Sequence, residues 1–82
     1  MPTTWVLINT EPGSEADVLK GLKKIAEVQE AYEVYGVYDI IAMAKAGTMD
    51  RLKEILTWKV RKVNGIRSTL TMIAIEEAST TK

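Results

Sequence analysis

The chain has 82 residues, 11 basic and 11 acidic side chains and neither histidine nor cysteine, which makes it one domain with no disulfide, thiolate metal centre or thiol nucleophile. Its apolar content of 46% is too high for a disordered chain, and its zero net charge disfavours binding that works by neutralising phosphates. Without histidine the commonest general base and transition-metal ligand is missing, so no cofactor, no metal site and no catalytic residue is expected.

Residues 4–10 (TWVLINT) are rich in β-formers and read as the first strand. Pro12 and Gly13 then break the chain. Ser14 followed by Asp17 resembles a capping box, with Asp in place of the longer Glu. Val18, Leu22 and Ile25, flanked by Leu19 and Ala26, form one apolar stripe at helical spacing, while Lys20, Lys23 and Lys24 project elsewhere. Residues 28–35 (VQEAYEVY) read as the second strand. Gly36 is placed for the positive φ of a tight hairpin. Residues 37–46 (VYDIIAMAKA) read as a third strand buried on both faces. Thr48 is positioned to cap a second helix. Its stripe is Met49, Leu52, Leu56, Val60 and Val63, with Ile55 on the flank, and Asn64-Gly65 stops it. Residues 66–76 (IRSTLTMIAIE) read as the fourth strand, and residues 77–82 as a frayed polar tail.

The order β-α-β-β-α-β over residues 1–82 predicts an α+β ferredoxin-like sandwich. Two helices would cover one sheet face. The other face would be bare yet apolar, and a second copy is its commonest cover. Dimerisation in the manner of a dimeric α/β barrel is therefore expected, with Trp5, Ile41, Met43 and Trp58 as interface residues.

The segment Val34-Tyr35-Gly36-Val37-Tyr38-Asp39-Ile40-Ile41 carries a G-x-x-D turn between two strands. It resembles the effector domain, called RAM, of the leucine-responsive regulator/AsnC (Lrp/AsnC) family. The first strand around Trp5-Val6-Leu7-Ile8, the turn Glu11-Pro12-Gly13, the strand Val28-Gln29-Glu30-Ala31-Tyr32 and the run Gly65-Ile66-Arg67-Ser68-Thr69-Leu70-Thr71 are similar to that domain in the same order. The resemblance covers roughly residues 4–76. It implies amino-acid sensing, dimers that join into a ring of four (an octamer), and an effector bound near Gly36–Asp39 at dimer–dimer contacts. It also implies co-assembly with full-length regulators and modulation of transcription. Family regulators carry a helix-turn-helix ahead of this domain. With the first strand starting near Thr4, the chain reads as a stand-alone effector domain without direct contact to nucleic acid.

The candidate ligand residues are Tyr35, Gly36, Val37, Tyr38, Asp39, Ser68, Thr69 and Thr71. A zwitterion needs an acceptor for its ammonium and N–H or hydroxyl donors for its carboxylate. Asp39 can supply the first and the open backbone at Gly36 the second; alternatively Asp39 caps the hairpin or pairs with a lysine. Tyr35 and Tyr38 can wall a pocket or pack at an interface. Alternation puts Thr69 and Thr71 on one face and Ser68 on the other, as ligand donors or as plain strand formers. Trp58 lies about 140° from the centre of the second helix's stripe, as an interface anchor or a ring stacked under an arginine. Arg51, Arg61, Lys62 and Arg67 read as a solvated basic face. Other classes compatible with this order are a dimeric α+β barrel enzyme, an ACT-like amino-acid-binding module and an RNA-recognition fold, the last opposed by the charge balance. No signal peptide or membrane span is evident, and a cytoplasmic location is expected.

Overall fold

A computed structural model describes residues 2–75. The elements are β1 (Thr3–Thr10), α1 (Glu15–Lys23), β2 (Val28–Glu33), β3 (Ile40–Lys45), α2 (Met49–Ile55), a π-helical segment (Leu56–Val60) and β4 (Ile66–Ala74). The four strands form one sheet in the order β2-β3-β1-β4, with antiparallel neighbours throughout. This is the ferredoxin-like α+β fold expected from the order of periodicities. The 18 Å thickness corresponds to one sheet and one helix layer.

Strand register sorts the side chains. Val6 lies opposite Ala42 and Thr71, and Ile8 opposite Ile40 and Thr69. These positions face the helices, where Val6, Ile8, Ile40, Ala42 and Ala44 are buried against Val18, Leu22, Leu52, Ile55 and Val60. Each buried Val, Leu or Ile side chain contributes about 1.5–3 kcal/mol. One step along each strand, the alternation turns Trp5, Leu7, Ile41, Met43, Leu70 and Met72 to the opposite face. Among the described residues no helix covers that face. Trp5, Leu70 and Met72 are exposed there, while Leu7, Ile41 and Met43 are half-buried. β3 is thus buried on its helix side only, not on both faces as its apolar run suggests.

The helix termini divide between expectation and correction. Thr48 caps α2 as read, its hydroxyl accepting from the Arg51 amide at 3.1 Å. Gly65 ends the second helical region with a φ of +97°. Ser14 occupies the N-cap position of α1 but makes no side-chain cap bond. Its ψ of 2° departs from the extended backbone that aims a hydroxyl at the first turn.

The second helix is not one continuous α-helix through Val63. The Arg61 amide donates to the Leu56 carbonyl at 3.2 Å, an i→i+5 bond. In an α-helix Val60 would point about 140° away from Ile55. The wider turn puts both on the core side, where both are buried, and Met49 is left exposed. The same widening helps Arg51 and Lys59 reach one carboxylate. Glu27, in the α1–β2 turn, accepts from Arg51 at 3.1 Å and from Lys59 at 3.2 Å.

The second and third strands are shorter than read. β2 ends at Glu33 and β3 begins at Ile40. The connection is a six-residue exposed loop rather than a tight hairpin, and Gly36 does not adopt positive φ; among the described residues only Gly13 and Gly65 do. Glu76 and residues 77–82, read as strand end and frayed tail, lie outside the described residues. Among the described residues no helix is long and apolar enough to cross a membrane.

Candidate functional site

Antiparallel pairing brings the C-terminal ends of β1 and β2 together with the N-terminal ends of β3 and β4. Most of the sequence-derived ligand candidates gather at this end of the sheet. Asp39 sits immediately before β3 rather than within it. Its amide donates to the Ile8 carbonyl at 2.9 Å, and its carbonyl accepts from the Val34 amide at 2.9 Å. Those two bonds close the 34–39 loop onto the central strand.

The Asp39 carboxylate faces β1. Oδ2 accepts from the Thr10 amide at 2.8 Å and lies 3.4 Å from the Thr10 hydroxyl. This partner was not read from the sequence. A register shift explains how Thr10 becomes available: Asn9 pairs with Ser68, but Thr10 pairs with Ile66, so Arg67 is the extra residue of a bulge. The strand end turns, and the Thr10 N–H is free to find a side-chain acceptor. Neither a lysine pair nor a hairpin cap describes Asp39; it ties the loop to the end of β1. A carboxylate offers about four acceptor sites over two oxygens, so acceptor capacity for a ligand ammonium remains on Oδ1.

The loop itself points outward. Tyr35 and Val37 are almost fully exposed, at 107% and 88%, while Tyr38 is half-buried. Among the described residues the amides of residues 35–38 have no hydrogen-bond partner. They are donors held at a fixed place on the sheet end. On β4, Ser68 projects to the open face opposite Asn9, whereas Thr69 and Thr71 face the helix side, as alternation requires. Thr71 lies opposite Val6, about 7 Å along the strand from Thr69, and is the candidate farthest from Asp39's end of the sheet.

The interface candidates separate into two places. Trp5, Ile41 and Met43 share the open sheet face. Trp58 lies in the helix layer, 65% exposed, with the Lys62 ammonium 5.4 Å from its ring centroid. Of the basic grouping, Arg51 pairs with Glu27 and, at 3.9 Å, with Glu54. Glu27's carboxyl is held below its ordinary value of 4.5, first by its own backbone amide and then by Lys59 and Arg51, with partial burial opposing. On the open face the Tyr32 hydroxyl donates to Glu30 at 2.5 Å, which raises the tyrosine's pKa. Among the described residues no three acidic side chains gather as a metal site.

A family model described as the Lrp/AsnC ligand binding domain matches residues 3–82. The crystal structure of FFRP-DM1 is 43% identical, with a TM-score of 0.86, covering 92% of this chain and 100% of that one. That of hypothetical protein PHS023 from Pyrococcus horikoshii is also 43% identical, with a TM-score of 0.87, covering 94% and 93% of the two chains. A more distant structure shares the fold alone: transcriptional regulator NMB0573 from Neisseria meningitidis, solved as an L-Met complex. It is 13% identical, with a TM-score of 0.83, covering 98% of this chain and 53% of that one. Among curated proteins no match is found.

Proposed function

The chain belongs to the Lrp/AsnC ligand-binding domain family, and from that premise we propose that it senses a free amino acid and couples binding to self-assembly. The observation that carries this reading is the match of the family's ligand-binding domain to residues 3–82. The L-Met complex of the N. meningitidis regulator supports an amino acid as the effector class. The sheet end supplies suitable chemistry. Asp39 accepts the ammonium, and the unspent amides of residues 35–38 receive the carboxylate. Tyr35, Gly36, Val37 and Tyr38 provide the walls, with Ser68 and Thr69 beside them and Thr71 farther along β4.

Assembly follows from the surface. The open sheet face presents Trp5, Leu7, Ile41, Met43, Leu70 and Met72, and a second copy laid on it gives a two-fold dimer. The exposed ring of Tyr35 at the loop tip and the exposed Trp58 suit contacts between dimers, in a ring of four dimers. An effector bound at those contacts shifts the assembly equilibrium by its differential affinity for the two states. Co-assembly with full-length regulators would carry the signal to transcription. This work is done in the cytoplasm.

Isothermal titration of the chain with each common amino acid tests the reading, with light scattering in parallel. One or a few amino acids bind and change the mass. Silence across the panel at roughly millimolar ligand overturns the sensing role.

A further inference from the structure

A groove of about 410 Å³ runs between α1 and the turn that leads into β4. None of its lining residues belongs to the 34–39 loop. Its floor is tight. A Cβ placed on Gly21 would meet a Val63 methyl at 2.7 Å, and one on Gly65 would meet the Ser14 Cβ at 2.9 Å. Helix and turn are therefore pressed together beneath the groove, and its walls are held at a fixed separation.

The walls carry Asp17 and Lys20 from α1, Ser14 and Lys24 from its two caps, and Asn64 from the turn. Asp17, Lys20 and Lys24 fall within about 60° of one another on the helix, with the two ammonium-bearing residues one turn, about 6 Å, apart. Among the described residues none of these five side chains has a hydrogen-bond or ion-pair partner. The contrast lies within the same molecule: Glu27, Arg51, Lys59 and Glu54 all satisfy one another. Opposite charges have been gathered around this groove without being paired.

We infer that this groove is a second small-molecule site, shaped for an amino dicarboxylate. Two carboxylates, spaced by a short chain, meet Lys20 and Lys24. The ammonium meets Asp17. The Ser14 hydroxyl and the Asn64 amide complete the donors to the carboxylate oxygens. The three charged walls sum to +1, against −1 for such a ligand, so the bound pair is neutral. A monocarboxylic amino acid leaves one lysine unmet, and a dicarboxylate without nitrogen leaves Asp17 facing like charge. The inference extends the effector-sensing reading to another place on the fold and does not use Asp39.

L-Glutamate and L-aspartate are the probes, titrated calorimetrically into the 82-residue chain, with glutarate and L-leucine as comparisons. Amide chemical shifts of Gly21, Asn64 and Gly65 are followed in parallel. One or both amino dicarboxylates bind and move those amides. Lys20→Gln with Lys24→Gln weakens binding by about tenfold or more, whereas the charge-matched pair Lys45→Gln with Lys53→Gln, exposed and outside the groove, changes it by less than about twofold. Glutarate binds at least about tenfold more weakly than L-glutamate, and Asp17→Asn narrows that gap. Absence of binding at about 10 mM overturns the groove as a site. So does binding that moves the amides of residues 35–39 instead of those of Gly21, Asn64 and Gly65 and that the Lys20/Lys24 variant leaves intact, although that result leaves effector sensing at the sheet end standing. Glutarate binding as tightly as L-glutamate overturns the assignment to Asp17.

Discussion

Gly65→Ala is the sharpest test of how the second helical region is joined to the sheet. Gly65 has a φ of +97°, and an added Cβ would lie 2.9 Å from the Ser14 Cβ and 3.0 Å from a Val18 methyl. Neither neighbour gives way easily. Val18 is fully buried, and Ser14 is held on both sides through backbone bonds with Glu11 and Val18. The left-handed backbone costs about 1–2 kcal/mol for a residue with a Cβ, and overpacking adds about 1–3 kcal/mol. The expected loss is therefore roughly 2–5 kcal/mol. Gly13 is an internal control, with a φ of +83° and nothing within 4 Å of the added Cβ. Gly13→Ala should show the backbone term alone. Urea unfolding of the two variants at one fixed protein concentration separates the terms, since assembly would otherwise contribute by mass action. On heating, the Gly65 variant should lose at least about 8 °C in Tm, at roughly 4–8 °C per kcal/mol for a domain of this size. If the two variants unfold at the same urea concentration, the close packing at the α1–β4 junction carries no energy and the argument fails.

Two further outcomes follow from the contacts. Glu27→Gln removes the carboxylate shared by Arg51 and Lys59. Because Glu27's folded pKa lies below its ordinary value of 4.5, its stabilisation is present above that value and is lost as pH falls through the folded one. The original chain should thus lose more stability than the variant between about pH 6 and about pH 3, read from urea midpoints; parallel losses would remove Glu27 as a contributor. For assembly, Trp5→Glu on the open face should reduce the mass seen by light scattering to that of one chain, whereas Trp58→Glu in the helix layer should leave dimers. A Trp5 variant with unchanged mass would show that the open sheet face is not where copies meet.

What was legible in the sequence depended on how far the deciding contact lay along the chain. Alternation in the fourth strand placed Ser68 on one face and Thr69 and Thr71 on the other, because period-two geometry is local. Thr48 as a cap and Gly65 as a stop were legible for the same reason. The Ser14 cap was not realised: its backbone has a ψ of 2°, and its Cβ lies against Gly65, a residue fifty-one positions away that no local pattern brings to it. A wheel of strict α-helical pitch could not bring Ile55 and Val60 to one side, since the π-helical turn is set by what the sheet buries. Gly36 was read as a hairpin glycine because of its residue type, but the 34–39 loop is closed by the bonds of Asp39 instead. Thr10 was missed altogether. Its role arises from the bulge at Arg67, and the only trace in the sequence is a threonine at the strand's last position before a turn.

Thr10 also shows how Asp39 does two things that a single substitution confuses. Thr10 is 4% exposed, and its amide finds its acceptor in the Asp39 carboxylate. Removing that acceptor leaves a buried N–H unpaired, at a cost of about 1–3 kcal/mol. Asp39→Ala therefore weakens the fold as well as any ligand, and lost binding in that variant alone proves little. Asp39→Asn keeps an oxygen for the Thr10 amide and removes the charge. If Asp39 holds an effector's ammonium, the Asn variant should stay within about 1 kcal/mol of the original stability while losing about tenfold or more in affinity, the weight of a charged hydrogen bond. Titration and urea unfolding on the same two variants decide the matter. Affinity preserved in the Asn variant would leave Asp39 as the residue that ties the loop to β1 and nothing more. Affinity lost with stability kept would place ligand charge and strand order on one side chain. Because β1, the strand to which Asp39 is tied through Thr10, also carries Trp5 and Leu7 on the open face, that result would join effector binding to a strand of the assembly face.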